Sequence, residues 1–131
     1  MANLYPYIYC DNAKEQADFY VKALAGEILM VKTFAELPNA PIDQHLKDKI
    51  MHLRLRAAGL MFFMSDSIQE PVERGNGMDL TLEFQNEEEA GRVFEGLAAG
   101  GTVIMPLAKQ FWGSMSGRVK DPYGICWQIT T

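Results

Sequence analysis

Histidine and cysteine are scarce: the chain has two of each in 131 residues. Cys10 and Cys126 belong to no CxxC pair and sit in strand-like runs, which argues for reduced, partly buried thiols rather than a disulfide framework. Neither has a histidine near it in sequence, so a catalytic thiol has no local base. No run reaches the roughly 18 consecutive apolar residues of a membrane-crossing helix. Met1-Ala2-Asn3-Leu4 lacks the basic-then-apolar pattern of a secretory signal, and a cytoplasmic location is expected. Basic residues are outnumbered: 12 Lys and Arg stand against 17 Asp and Glu, for a formal net charge of −5. That balance disfavours a nucleic-acid partner, which would need clustered cations. A glycine-rich nucleotide- or methyl-donor-binding motif is also missing.

What the chain does have is an internal repeat. Shifting the sequence by 74 positions lays Tyr5–Gly26 on Asp79–Gly100 without a gap. Asn12, Glu15, Ala25 and Gly26 meet identical residues at Asn86, Glu89, Ala99 and Gly100; Ile8 meets Leu82 and Tyr20 meets Phe94. A duplication of this size predicts two similar half-domains with a cleft between or under them. Hydrophobic content of 48% and charged content of 22% suit a single globular domain over 1–131. Half one covers about 1–66, a Pro- and Gly-bearing linker 67–77, and half two about 78–131.

Leu4–Cys10 reads as a strand with Tyr5, Tyr7 and Tyr9 on one side. Asn12 with Glu15 three residues later forms a capping-box pattern, and a helix runs to about Leu24 with Ala17, Tyr20, Val21 and Leu24 as its apolar stripe and Gly26 as its stop. Glu27–Phe34 is a strand. The stretch 36–48, with Pro38 and Pro41, is a loop, a candidate lid or rim. In the strand Lys49–Arg56, Met51, Leu53 and Leu55 face one way and His52, Arg54 and Arg56 the other. Ala57-Ala58-Gly59 turns into the strand Leu60–Met64. The second half repeats the plan: strand Met78–Phe84, a helix capped by Asn86 and stopped at Gly100-Gly101, strand Thr102–Leu107, a loop holding Phe111-Trp112-Gly113, and a hairpin of Ser116–Lys120 and Cys126–Thr130 around Asp121-Pro122-Tyr123-Gly124. Each half reads βαβββ. The expected fold is therefore α+β: two βαβββ repeats forming a curved mixed sheet, a cup, with the helices on its outer face.

In order and spacing, several segments resemble the vicinal oxygen chelate superfamily (glyoxalase, bleomycin-resistance and dioxygenase proteins). Asp121-Pro122-Tyr123-Gly124 before Ile125-Cys126-Trp127-Gln128 is similar to that superfamily's final DPxG hairpin. Pro6-Tyr7, Lys49-Ile50-Met51-His52, Met64-Ser65-Asp66, and Met105-Pro106-Leu107 leading to Phe111-Trp112-Gly113 resemble its PhnB-like branch. The resemblance implies a small-molecule cup and, in metal-using members, four ligands on inward strand positions. Those positions fall on Tyr5, Phe63, Asp79 and Gln128. Phe63 has no donor and a phenol binds poorly unless ionised, which leaves Asp79 and Gln128 as metal candidates. Two oxygen donors hold a transition ion weakly, so a divalent metal is not favoured.

His52 and Glu83 are the candidate catalytic residues, His52 as general base or ligand, with a hydrogen-bonded sheet histidine as the plainer alternative. Asp79, Thr81 and Glu83 point together; the two carboxylates need a cation, and Arg54 and Arg118 are candidates. Tyr7, Tyr9, Arg54, Phe111 and Trp112 are the ligand-binding candidates: the tyrosine hydroxyls could orient a small organic molecule or the rings pack under the sheet edge, and the Phe-Trp loop covers either a ligand or a partner subunit. The expected protein is a homodimer that binds a small organic molecule. The rival is a metal-dependent lyase, isomerase or dioxygenase-like enzyme using His52, Asp79, Glu83 or Gln128.

Overall fold

The two asparagines paired by the repeat start the two helices. Asn12 Oδ1 accepts the Glu15 backbone N–H at 3.1 Å ahead of helix α1 (Ala13–Ala23), and Asn86 Oδ1 accepts that of Glu89 at 2.7 Å ahead of α2 (Glu87–Ala98). Each side chain satisfies one of the N–H groups that a first helical turn leaves unpaired. The computed structural model describes residues 1–38 and 43–131. Pro41, within the anticipated lid or rim loop, lies outside the described residues. Phe34–Glu36 and Gln44–Leu46 form short 3₁₀ turns on either side.

The chain divides into two compact units, residues 1–72 and 73–131. The segment anticipated as a linker is shared between them. Unit one holds β1 (Tyr7–Cys10), α1, β2 (Glu27–Thr33), β3 (Ile50–Ala57) and β4 (Leu60–Asp66). Unit two holds β5 (Leu80–Glu83), α2, β6 (Thr102–Lys109), β7 (Met115–Lys120) and β8 (Cys126–Thr130). Both are βαβββ, and both sheets repeat one order, β1-β4-β3-β2 and β5-β8-β7-β6. In each, the first strand runs parallel to its neighbour and the remaining pairs are antiparallel. The architecture is thus α+β with two mixed four-stranded sheets, as the repeat implied.

Alternation decides which face each helix covers. Leu53, Leu55, Ala57, Phe62 and Met64 are buried beneath α1, which contributes Ala13, Gln16, Ala17, Tyr20 and Ala23. In unit two, Ala90, Val93, Phe94 and Leu97 of α2 meet a core containing Leu82, Val119, Trp127 and Ile129. A fully buried side chain of this size contributes roughly 1.5–3 kcal/mol. Gly117 makes close packing possible there: a Cβ on it would stand 2.7 Å from the Leu107 Cα and 2.9 Å from Phe94 Cε2.

The stop of α1 differs from expectation. Ala25, not Gly26, takes the left-handed conformation (φ 51°), while the Gly26 N–H bonds the Val21 carbonyl at 2.9 Å. A left-handed residue followed by this six-to-one bond is the mark of a Schellman-type stop. Gly26 is required for space, since a Cβ would lie 2.5 Å from the Arg56 carbonyl oxygen. In unit two the left-handed residue is Gly100 (φ 76°). The Asp121 turn forms as read: Oδ1 accepts the N–H groups of Tyr123 (2.8 Å) and Ile125 (3.1 Å), and Oδ2 accepts Trp127 Nε1–H at 2.9 Å.

Candidate functional site

Because α1 covers one face of the first sheet, the side chains of the other face are left to do something else. Register sets which ones share it. Tyr7 pairs with Phe63 across β1 and β4, Phe63 with Arg54 across β4 and β3, and Lys32 with His52 across β2 and β3. Directly opposed residues project to the same side, and His52 and Arg54 are two apart on one strand. The result is an aromatic cluster centred on Phe63. Tyr5 lies 4.7 Å from it between ring centroids, His52 5.3 Å and Tyr7 6.3 Å, with Tyr9 4.9 Å from Tyr7. The Arg54 guanidinium carbon stands 5.3 Å from the Phe63 centroid, within cation–π range. The three tyrosines are 42–59% exposed.

His52 sits inside this cluster, its Nδ1 3.5 Å from the Tyr7 hydroxyl. Partial burial first, then the charges of Arg54 and Lys32, hold its pKa below the usual 6.5. The imidazole is therefore neutral near pH 7, with one nitrogen able to accept a hydrogen bond.

The helix-free face of the second sheet is polar. Arg118, Gln128 and Thr81 form one row across β7, β8 and β5. Both oxygens of Asp79 are engaged by Arg118, whose Nε donates at 2.6 Å and Nη2 at 2.8 Å. The hydrogen bond from Arg118, reinforced by its charge, holds the Asp79 carboxyl below the usual range against a smaller opposing effect of burial. Gln128 Oε1 accepts the Thr81 hydroxyl at 3.4 Å. Glu83 is exposed and, among the described residues, makes no ion pair. His52 belongs to the first unit and Glu83 to the second.

The metal positions implied by the resemblance fare accordingly. Tyr5 stacks on Phe63, Phe63 offers no donor, Asp79 is held by a guanidinium, and Gln128 faces a hydroxyl. Among the described residues no group of three or more His, Cys, Asp or Glu could hold a metal ion. The donor set does not fit a bound transition metal.

Phe111 and Trp112 crown the β6–β7 connection. Gln110 and Ser114 close the loop (N–H to carbonyl, 2.8 Å), and Gln110 Nε2 donates to the carbonyls of Ala108 and Ser116. The two rings meet edge to face at 4.9 Å and remain 98% and 58% exposed. This firm turn therefore presents aromatic surface outward. A separate cleft of about 330 Å³ in unit one is lined by Asn12, Lys14, His45, Asp48, Lys49, Ile50 and Asp66. Asp66 is structural there: its two oxygens accept the N–H groups of Ala13 and Ile50, both at 2.7 Å, tying the start of α1 to the start of β3.

Sequence reading brought Tyr7, Tyr9, His52 and Arg54 to notice and the structure assembles them. It passed over Phe63, weighed only as a ligand it could not be, and Lys32. The alternation of Met61, Phe63 and Ser65 against the core residues Phe62 and Met64 was the available signal for the first.

Paired βαβββ modules with mixed sheets define the vicinal oxygen chelate class of proteins, and solved structures agree. FosX of Listeria monocytogenes, 12% identical, superposes with a TM-score of 0.68 over 98% of this chain and 91% of its own. More narrowly, the family described as 3-demethylubiquinone-9 3-methyltransferase matches residues 3–130, and the chain belongs to that PhnB-like family. Protein YjdN of Escherichia coli is 32% identical, covering 96% of this chain and 92% of its own. Protein PA1353 of Pseudomonas aeruginosa is 33% identical with a TM-score of 0.83, covering 98% of this chain and 96% of its own. A Bacillus cereus PhnB protein, described as a 3-demethylubiquinone-9 3-methyltransferase, is 26% identical with a TM-score of 0.80, covering 98% of both chains. No helix among the described residues is long and apolar enough to cross a membrane.

Proposed function

We propose that this protein binds a small organic molecule on the aromatic face of its first sheet, without a metal. The observation that carries the reading is the Phe63-centred cluster of Tyr5, Tyr7 and His52 with Arg54 against the ring, on the side of the sheet that α1 leaves uncovered. Exposed aromatic surface gathered in one place is costly in water and is commonly a recognition surface. The FosX structure was obtained with Mn(II) and a dihydroxypropylphosphonic acid, so a protein of this fold can take up a small organic acid. Here His52 serves as a neutral hydrogen-bond acceptor, and Tyr7 and Tyr9 supply hydroxyls at the rim.

The rival reading, metal-dependent lyase, isomerase or dioxygenase chemistry through His52, Asp79, Glu83 or Gln128, is weakened by the capture of Asp79 by Arg118. Methyl transfer gains nothing from the sequence, which lacks a glycine-rich donor loop. The protein also acts as a cytoplasmic homodimer in this reading. Phe111, Trp112 and the exposed Val103, Ile104 and Met105 of β6 are the apolar surface that a second copy would cover, and two buried cysteines outside any disulfide suit a reducing compartment.

A thermal-shift screen of a fragment library, run with and without EDTA, tests the reading. Wild type should yield stabilising fragments unaffected by EDTA and lost in Phe63→Ala. Hits retained by that variant, or abolished by EDTA, would overturn it. Light scattering at low micromolar concentration should return twice the 14.7 kDa chain mass.

A further inference from the structure

Resting on the binding reading above, we infer that the ligand is a planar aromatic anion, an arene carboxylate or its equivalent, stacked against the Phe63-centred ring cluster with its acidic group toward Arg54 and Lys32. Two independent features of the face carry this. The first is charge. The chain as a whole is acidic, at −5, yet the side chains that β2 and β3 place on this face are Lys32, Arg54 and Arg56 against a single carboxylate, Glu27, which sits opposite Arg56 at one end. Arg54 is not committed to a carboxylate: among the described residues it makes no ion pair. Its guanidinium lies against Phe63, where an anion stacked on that ring would meet it.

The second feature is shape. Several rings of this face lie tilted to their neighbours, Tyr5 at 34° to Phe63, Tyr7 at 38° to Tyr9 and 35° to His52, while Tyr7 stands edge-on to Phe63 at 69°. Such a surface offers π-faces to a flat guest and rewards planarity over bulk. The neutral His52 beside Lys32 completes the pattern. Burial is the larger reason its protonation is disfavoured; the positive field of Arg54 and Lys32, which adds to it, is the field that draws an anion, and a hydrogen-bond acceptor there suits a hydroxyl or amide N–H on the guest's rim.

The experiment uses 2-naphthoate as probe, with two controls: 2-naphthamide, flat but uncharged, and decahydro-2-naphthoate, charged but saturated. Binding is followed by NMR on the aromatic resonances of Tyr5, Tyr7, Phe63 and His52. The naphthoate should shift these signals. The amide and the saturated acid should each bind about tenfold more weakly, a difference of ~1.4 kcal/mol. Arg54→Gln should weaken the naphthoate about tenfold and the amide by clearly less, as expected for loss of one charge-assisted contact; Arg54→Lys should recover part of the loss. Equal affinity for naphthoate and naphthamide would overturn the anion while leaving the binding reading intact. Equal affinity for naphthoate and its saturated analogue would overturn planarity. No shift at these residues with any of the three would overturn the inference, and fragments from the wider library that still shift them would show that the binding reading survives it.

Discussion

Replacing Asp121 with alanine should cost this protein a large share of its stability. The Asp121 side chain is 3% exposed and accepts three hydrogen bonds at 2.8, 3.1 and 2.9 Å. Two come from the turn that joins β7 to β8 and one from the indole of Trp127, itself fully buried. Tyr123 and Ile125 are half-buried, so their N–H groups can turn to water when the carboxylate goes. The indole N–H cannot, and a buried donor stripped of its acceptor costs roughly 1–3 kcal/mol. Loss of the turn's two bonds to a charged acceptor adds about 1–2 kcal/mol after water compensates, giving about 2–5 kcal/mol in all. Domains of this size lose roughly 3–5 °C per kcal/mol, so the melting temperature should fall by about 6–25 °C. Asp121→Asn, which keeps one acceptor, should lose about half as much. Urea unfolding followed by circular dichroism gives the free energy. Tryptophan fluorescence reports on the second unit alone, because Trp112 and Trp127 both lie there. If the two units form one folding domain, as we propose, both probes give one transition. A loss below about 1 kcal/mol for Asp121→Ala would refute the hydrogen-bond reasoning.

Three further perturbations follow from the geometry. Ala25→Gly should stabilise by about 0.5 kcal/mol, relief of left-handed strain exceeding the entropy that glycine loses, while Gly26→Ala, which drives a Cβ onto the Arg56 carbonyl, should destabilise by about 1–3 kcal/mol; thermal melts of the pair separate the two glycine roles. His52 titrates below 6.5, so the unfolded chain takes up this proton first as pH falls. Stability should decline as pH drops from about 6.5 toward the lower folded value, and His52→Gln should flatten that part of the pH–stability profile. Asp79 acts in the same sense at lower pH: its carboxyl is depressed, so the stabilisation from Arg118 is present above the ordinary carboxyl value and lost as pH falls through the lower folded one. Urea midpoints at pH 5 and pH 3 should converge for Asp79→Asn relative to wild type.

Much of the fold was legible because it is written in short-range signals. The 74-residue offset, the two asparagine caps and the Asp-Pro-Tyr-Gly turn each act within a few residues and each does what its chemistry dictates. Strand ends were less legible. Leu4 and Met78 read as strand from their neighbours but stand 94% and 80% exposed, because ladder pairing begins only at Tyr7 and Leu80, where β4 and β8 are there to receive it. The α1 stop was misassigned to Gly26 because glycine is the usual left-handed residue, whereas here contact with the Arg56 carbonyl, far along the chain, decides which of two residues must be small. At the site, the side of His52 and Arg54 was readable from alternation alone. Phe63 was not recognised as the hub, since that role depends on strands β1, β3 and β4 being brought side by side. The pairing of Asp79 with Arg118, 39 residues away, was one of two options until the β5-β8-β7 order chose it.

The most direct test of ligand binding through the first sheet is an aromatic ¹H–¹³C correlation map recorded with the fragments that stabilise the protein. Binding at this face predicts that the largest shifts fall on Tyr5, Tyr7, Phe63 and the His52 ring, unchanged after exhaustive chelation. Shifts confined to other aromatic residues, or dependent on an added divalent ion, would contradict it.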